Sequence, residues 1–362
     1  MATLAATVLA GLALACLSGC ANLGYYWQSA SGHLKMMSVA RPVDDWLADS
    51  AATPRLKERL LLSQRIRSFA VTALQLPDNA SYRRYADLQR NAAVWNVVAA
   101  PPLSLTLRTW CFPVTGCVGY RGYFDEAQAR EEAARVAAEG DETSVYPVPA
   151  YSTLGWLNWA GGDPLLNTFI HYPEGELARL VFHELAHQVV YAKGDTMFNE
   201  SFATAVERLG GRLWLDTQAG EAARNDYGEF DARRRQFRAL TQATRARLER
   251  IYEGKEPSVH DPRAQDAMKI VAMQEFRDQY VRLRDGWGGD PQRFRGYDQW
   301  VAQANNAAFG AQAAYDALVP GFEALFAREG GDWARFYDAV RQLAALPMEE
   351  RHLRLKQGEP GA

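Results

Sequence analysis

His183 and His187 lie four residues apart in the stretch VFHELAHQVVYAKGDTMFNESFA, residues 181–203, with Glu184 directly after the first histidine and Glu200 thirteen residues after the second. Imidazole nitrogens and carboxylate oxygens are ligands that zinc takes, and a catalytic zinc keeps its fourth position for water. On a helix, four residues advance by about 400°, so both rings share a face one turn apart and can grip one ion. Glu184, rotated about 100° from His183, can touch a water on that ion without ligating it. Glu200 is the expected third ligand: twelve residues separate it from His187, enough to finish a helix, turn and open an antiparallel partner. Glu207, two turns further on the same face, is its rival; it could instead orient a histidine, or simply pair with an arginine on the surface. Asn199, in the Asn-Glu pair with Glu200, is placed just outside the ligands. The bland alternative is a helix whose histidines face solvent. It sits badly with the apolar rows around them, Leu177, Leu180, Val181, Leu185 and Val189, because a buried imidazole needs a partner.

The elements that must position these residues read as α+β. Residues 53–74 carry apolar side chains at helical spacing behind a Thr-Pro start. From about residue 91 the character changes: AAVWNVVAA (92–100) and LSLTLRTWCF (103–112) read as strands, and VGYRGYF (118–124) completes a hairpin. Residues 125–140 read as a helix ending at Gly140, and 144–155 as extended chain. From 174 onward almost everything reads helical, including 212–253, 261–286 and 311–328. The expectation is a small mixed sheet over about 20–172, followed by a large helical part over about 173–362 that carries the histidine helix.

The first twenty residues, MATLAATVLAGLALACLSGC, are apolar and free of charged side chains. Leu17-Ser18-Gly19-Cys20 is similar to the lipobox of bacterial lipoproteins, which implies a signal peptide over 1–19 and a lipid on Cys20; the alternative is an uncleaved anchor helix. Ala21 follows where lipoproteins retained at the inner membrane have Asp, which tilts the expected location to the outer membrane, facing the periplasm. Cys111 and Cys117 then remain, flanking the five residues FPVTG, and an exported compartment permits a disulfide between them. A formal net charge of −3 argues against a nucleic-acid partner, and the basic run 232–250 reads as a solvated helix face.

HExxH with an Asn-Glu pair on the next helix resembles the gluzincin metallopeptidases. More narrowly, the lipobox, GCVGYRGYF, YSTLGW…DPLLNTF and HELAHQ…FNESFA are similar to the bacterial putative-aminopeptidase lipoprotein family. The resemblance covers nearly all of the chain after Cys20. It implies a zincin-like fold, one zinc held by His183, His187 and Glu200, and Glu184 as the catalytic carboxylate. The gap to the third ligand is shorter than in thermolysin-like enzymes, and Thr204 stands where many relatives have an acidic residue.

Zinc in such a site activates water and polarises a scissile carbonyl, Glu184 shuttles the proton, and a further donor serves the oxyanion. Tyr315 leads for that donor, ahead of Tyr297 and His260. Peptide substrates often add to an edge strand, and VPAYSTLGW (148–156), with Ser152, Thr153, Leu154 and Gly155, is suited to it. His171 reads as a structural or rim residue. A zinc-braced, non-catalytic envelope scaffold is the competing function; a structural site would be closed by a fourth protein ligand. Cleavage of a cell-wall amide is a third possibility.

Overall fold

A computed structural model describes residues 24–112, 116–153, 155, 158–256 and 261–358, and of 314–316 only the backbone. Cys20 of the lipobox, Leu154, His260 and the side chain of Tyr315 lie outside the described residues. Helix α1 covers 24–38, followed by β1 (Arg41–Pro42), α2 (Val43–Ala48) and α3 (Pro54–Thr72). Thr53 accepts from the Leu56 amide and Pro54 fills the first turn, so α3 begins at the Thr-Pro pair. Next come β2 (Arg84–Ala86), β3 (Val94–Ala100), β4 (Trp110–Phe112), β5 (Gly116–Val118), β6 (Arg121–Tyr123), α4 (Glu126–Ala137), β7 (Glu142–Val148) and β8 (Leu165–Leu166). The rest is helical: α5 (Glu174–Ala186), α6 (Thr196–Thr217), α7 (Glu221–Tyr252), α8 (Pro262–Asp285), α9 (Arg295–Gln303), α10 (Asn306–Asp316), α11 (Val319–Arg328), α12 (Trp333–Ala344) and α13 (Met348–Gln357). The fold is mixed α+β with a large helical part.

Strand β3, VWNVVAA, is buried along its whole length because helices cover both of its faces. Trp95 and Val97 pack with Ala129 and Ala133 of α4, while Val98 and Ala100 pack with Ala307 and Ala311 of α10. It is the centre of an antiparallel sheet ordered β6-β3-β7, which leaves β7 at an edge. Among the described residues, parallel pairing is confined to β2 and β8, in a small sheet with β1. The main core joins Met36, Leu60 and Leu165 to Leu177, Phe202 and Leu355, and so crosses residue 172. Cys111 and Cys117 are opposite one another in the β4–β5 hairpin and form a disulfide.

Three expectations are corrected. Of LSLTLRTWCF only Trp110–Phe112 is strand; the alternation upstream serves helix packing, since Leu105 and Leu107 lie against Gly310 of α10. The helical run 212–253 breaks between α6 and α7 at Gly220, and 311–328 breaks between α10 and α11, where the Leu318 amide donates to Ser201 and Pro320 opens a new helix. The expected edge strand also stops short: β7 ends at Val148, and Ser152, Thr153 and Gly155 are not strand. Pro147 and Pro149 offer no amide to a ladder, and the buried Asp163 carboxylate captures the Thr153 amide at 3.0 and 3.1 Å.

That loop depends on Gly162. Its φ is +66°, and a Cβ there would come within 2.5 Å of the Ser81 backbone nitrogen. Gly162→Ala should therefore lower stability by about 2 kcal/mol or more, read as a lower urea midpoint with unchanged slope; an unchanged midpoint would contradict the packing.

Candidate metal centre

The two helices that carry the ligands run antiparallel, and a ladder of contacts fixes their register. His183 and His187 meet Glu200, Arg179 meets Glu207, and Trp214 Nε1 donates to Glu174 at 3.0 Å. Gly210 and Gly211 let α6 come this close: a Cβ on either would strike Leu74 or Arg179 at 2.6 or 2.7 Å. The turn between the helices is closed by Asn199, which accepts from the Ala192 amide at 2.7 Å and donates to its carbonyl at 2.8 Å. Asn199 thus holds backbone and touches no ligand, a correction to its expected place beside the ligands. Asp195 caps α6 by accepting from the Phe198 amide, and is itself held by His352 and Arg351 of α13.

The result is a cluster. His183 Nε2 lies 3.2 Å from His187 Nε2 and 3.3 Å from Glu200 Oε2, and His187 Nε2 lies 3.7 Å from the same oxygen. Ligands about 2.1 Å from a tetrahedral ion are separated by about 3.4 Å, so the donors already stand at the edges of such a polyhedron. Among the described residues these three form the group able to hold a metal. Glu207, the rival ligand, is on the far side of the ring: His183 Nδ1 donates to its Oε2 at 3.1 Å, which turns Nε2 toward the cluster. Arg179 bonds the other Glu207 oxygen, and Glu176 and Arg234 extend the chain of charges at 2.8 and 3.1 Å.

Electrostatics fit a cation. Burial works against a charged His183, yet Glu200 and Glu207 outweigh it and hold its proton well above the usual range. Burial would raise Glu200, but His187 and His183 bring its carboxyl down to about 2. A divalent ion would displace the proton these carboxylates favour on His183. Burial raises Glu184 above the ordinary glutamate value, against the pull of the two histidines.

All four residues line a cavity of about 880 Å³, together with Tyr120, Tyr146 and Tyr191. A family model described as "Putative aminopeptidase" matches residues 24–355. The chain belongs to that family. No curated protein and no solved structure matches it.

Ser152 reaches the cavity wall, whereas Tyr297 packs against Phe237 and Trp287 and His171 is exposed, both away from the cavity. The basic run is not wholly solvated, since Arg234, Phe237 and Arg238 line the cavity. Tyr120 and Tyr191 were not foreseen. Burial, then the charge of Glu200, pushes the Tyr191 hydroxyl up to about 12 and raises that of Tyr120 as well, so both are neutral donors. Tyr191 is four residues past His187, the one spacing signal that could have found it.

Two outcomes follow. Glu207→Gln should weaken divalent-metal affinity about tenfold to a hundredfold, measured with Zn2+ against a competing chelator; unchanged affinity would remove Glu207 from the site's support. Burial also lifts Asp163 from 3.8 to about 6. A folded-state value above the unfolded one stabilises fully below about pH 4, and that contribution is lost as pH rises through about 6. Relative to Asp163→Asn, the wild type should lose about 3 kcal/mol between those limits in urea unfolding; a pH-independent difference would argue against a buried protonatable carboxyl.

Proposed function

We propose that the chain is a zinc metallopeptidase of the gluzincin kind, with a zincin-like fold, that acts as an aminopeptidase and is tethered by a lipid on Cys20 in the bacterial envelope, facing the periplasm at the outer membrane. One observation carries the reading: His183, His187 and Glu200 converge beside Glu184 on the wall of a large cavity, in a chain of the putative aminopeptidase family. When bound, zinc supplies Lewis-acid polarisation of a carbonyl and activation of a water.

The protein's own groups do the rest. Glu184 has no part in the ligand cluster, and its raised proton affinity suits a base that takes a proton from the attacking water and hands it to the leaving amine. Tyr120 and Tyr191, which line the cavity, would be the donors that stabilise an oxyanion. Tyr146, Pro147 and Val148 of β7 line the cavity wall, where a bound peptide would lie against the sheet. A scaffold site would need a fourth protein ligand; Glu207, the rival carboxylate, is committed to Arg179 and to the far nitrogen of His183.

Glu184→Gln should lower kcat/KM on aminoacyl and internally quenched peptides by about a thousandfold, with one zinc per chain retained by elemental analysis. Activity near wild type in that variant would reject the mechanism, and a chain without zinc would reject the metal.

A further inference from the structure

We propose that the outward face of α1 docks on the phospholipid surface that holds the lipid of Cys20, so that the metal-side cavity opens next to the bilayer; this rests on the lipoprotein reading above. The inner face of α1 is committed to the protein. Gln28 donates to the Gly122 carbonyl and accepts from the Phe124 amide, Tyr25 stacks on Phe112, and Gly32 sits so close to the Phe124 ring that a Cβ would lie 2.2 Å from it. The other face is exposed among the described residues. Trp27 is 75% and Leu34 67% exposed, two turns apart, with Ser31 between them. Lys35 is on the same side, and residues 24–38 contain no acidic side chain. Tryptophan, tyrosine and leucine beside a lysine are what a helix lying in a headgroup layer presents, and an anionic lipid surface attracts the cation.

The chain itself says what covers this face. The helix begins four residues after Cys20, and four residues span at most about 14 Å, so an acylated Cys20 keeps the first turn at the membrane. Among the described residues no helix is long and apolar enough to cross a bilayer, which leaves α1 lying along it. Tyr25, Tyr26 and Ser29 line the same cavity as His183 and Glu184, and Tyr26 is 42% exposed, which puts it at the rim. A docked α1 therefore presents that rim to peptide segments held at the membrane surface.

The test uses the full-length, acylated chain in vesicles of phosphatidylethanolamine and phosphatidylglycerol, with an environment-sensitive dye on Ser31→Cys and, as a control, on Asp338→Cys of α12. The Ser31 probe should shift to the blue and lose emission to headgroup-proximal spin-labelled lipid, while the control probe does neither. If both probes behave as in water while mass spectrometry shows an acylated Cys20, the docking face is wrong and the tether stands. An unacylated Cys20 removes both. A blue shift that precedes vesicle addition and grows with protein concentration would give the face to a second copy of the chain and overturn the proposal.

Discussion

His183 is held on both ring nitrogens by carboxylates of one helix, Glu200 in front and Glu207 behind. Those carboxylates are two turns apart on α6, so a single ring bridges them only if α6 lies antiparallel to α5 at close range. The glycine pair at 210 and 211 and the buried surface of Phe182, Phe198 and Phe202 meet that demand. The tautomer follows as well: with Nδ1 donating backward, Nε2 has to point at His187 and Glu200. Ring orientation, helix spacing and ligand geometry are thus one constraint.

Behind the ring the charges alternate, Glu207, Arg179, Glu176, Arg234, all with little exposure. Such a series is weak evidence for stability, because each ion lost its hydration on folding. Its effect is better described as orientation: Glu207 cannot leave His183 without leaving Arg179 uncompensated. The series ends on α7, so the long basic helix is coupled to the centre through Arg234.

Ligand chemistry was legible in the sequence because it imposes spacing. Two histidines one turn apart, and a carboxylate far enough along to lie on a returning helix, describe α5 and α6 before any coordinates. The disulfide was legible from its short loop. What escaped was decided by partners distant in the chain. Leu105 and Leu107 alternate like a strand yet serve α10, about two hundred residues later. The end of β7 is set by two prolines and by Asp163, whose burial no local pattern announces. Tyr120 reaches the cavity from the connection between β5 and β6, and a lone tyrosine has no periodicity to betray it. The composition of 232–250 hid the residues that turn inward.

The cavity wall draws on Tyr25 near one end of the described chain and on Gln312 near the other. No growing or partly threaded polypeptide possesses that enclosure, since its last lining segment arrives after some three hundred residues have been synthesised. Enclosure of the cavity therefore waits on collapse of the chain from residue 25 through residue 312.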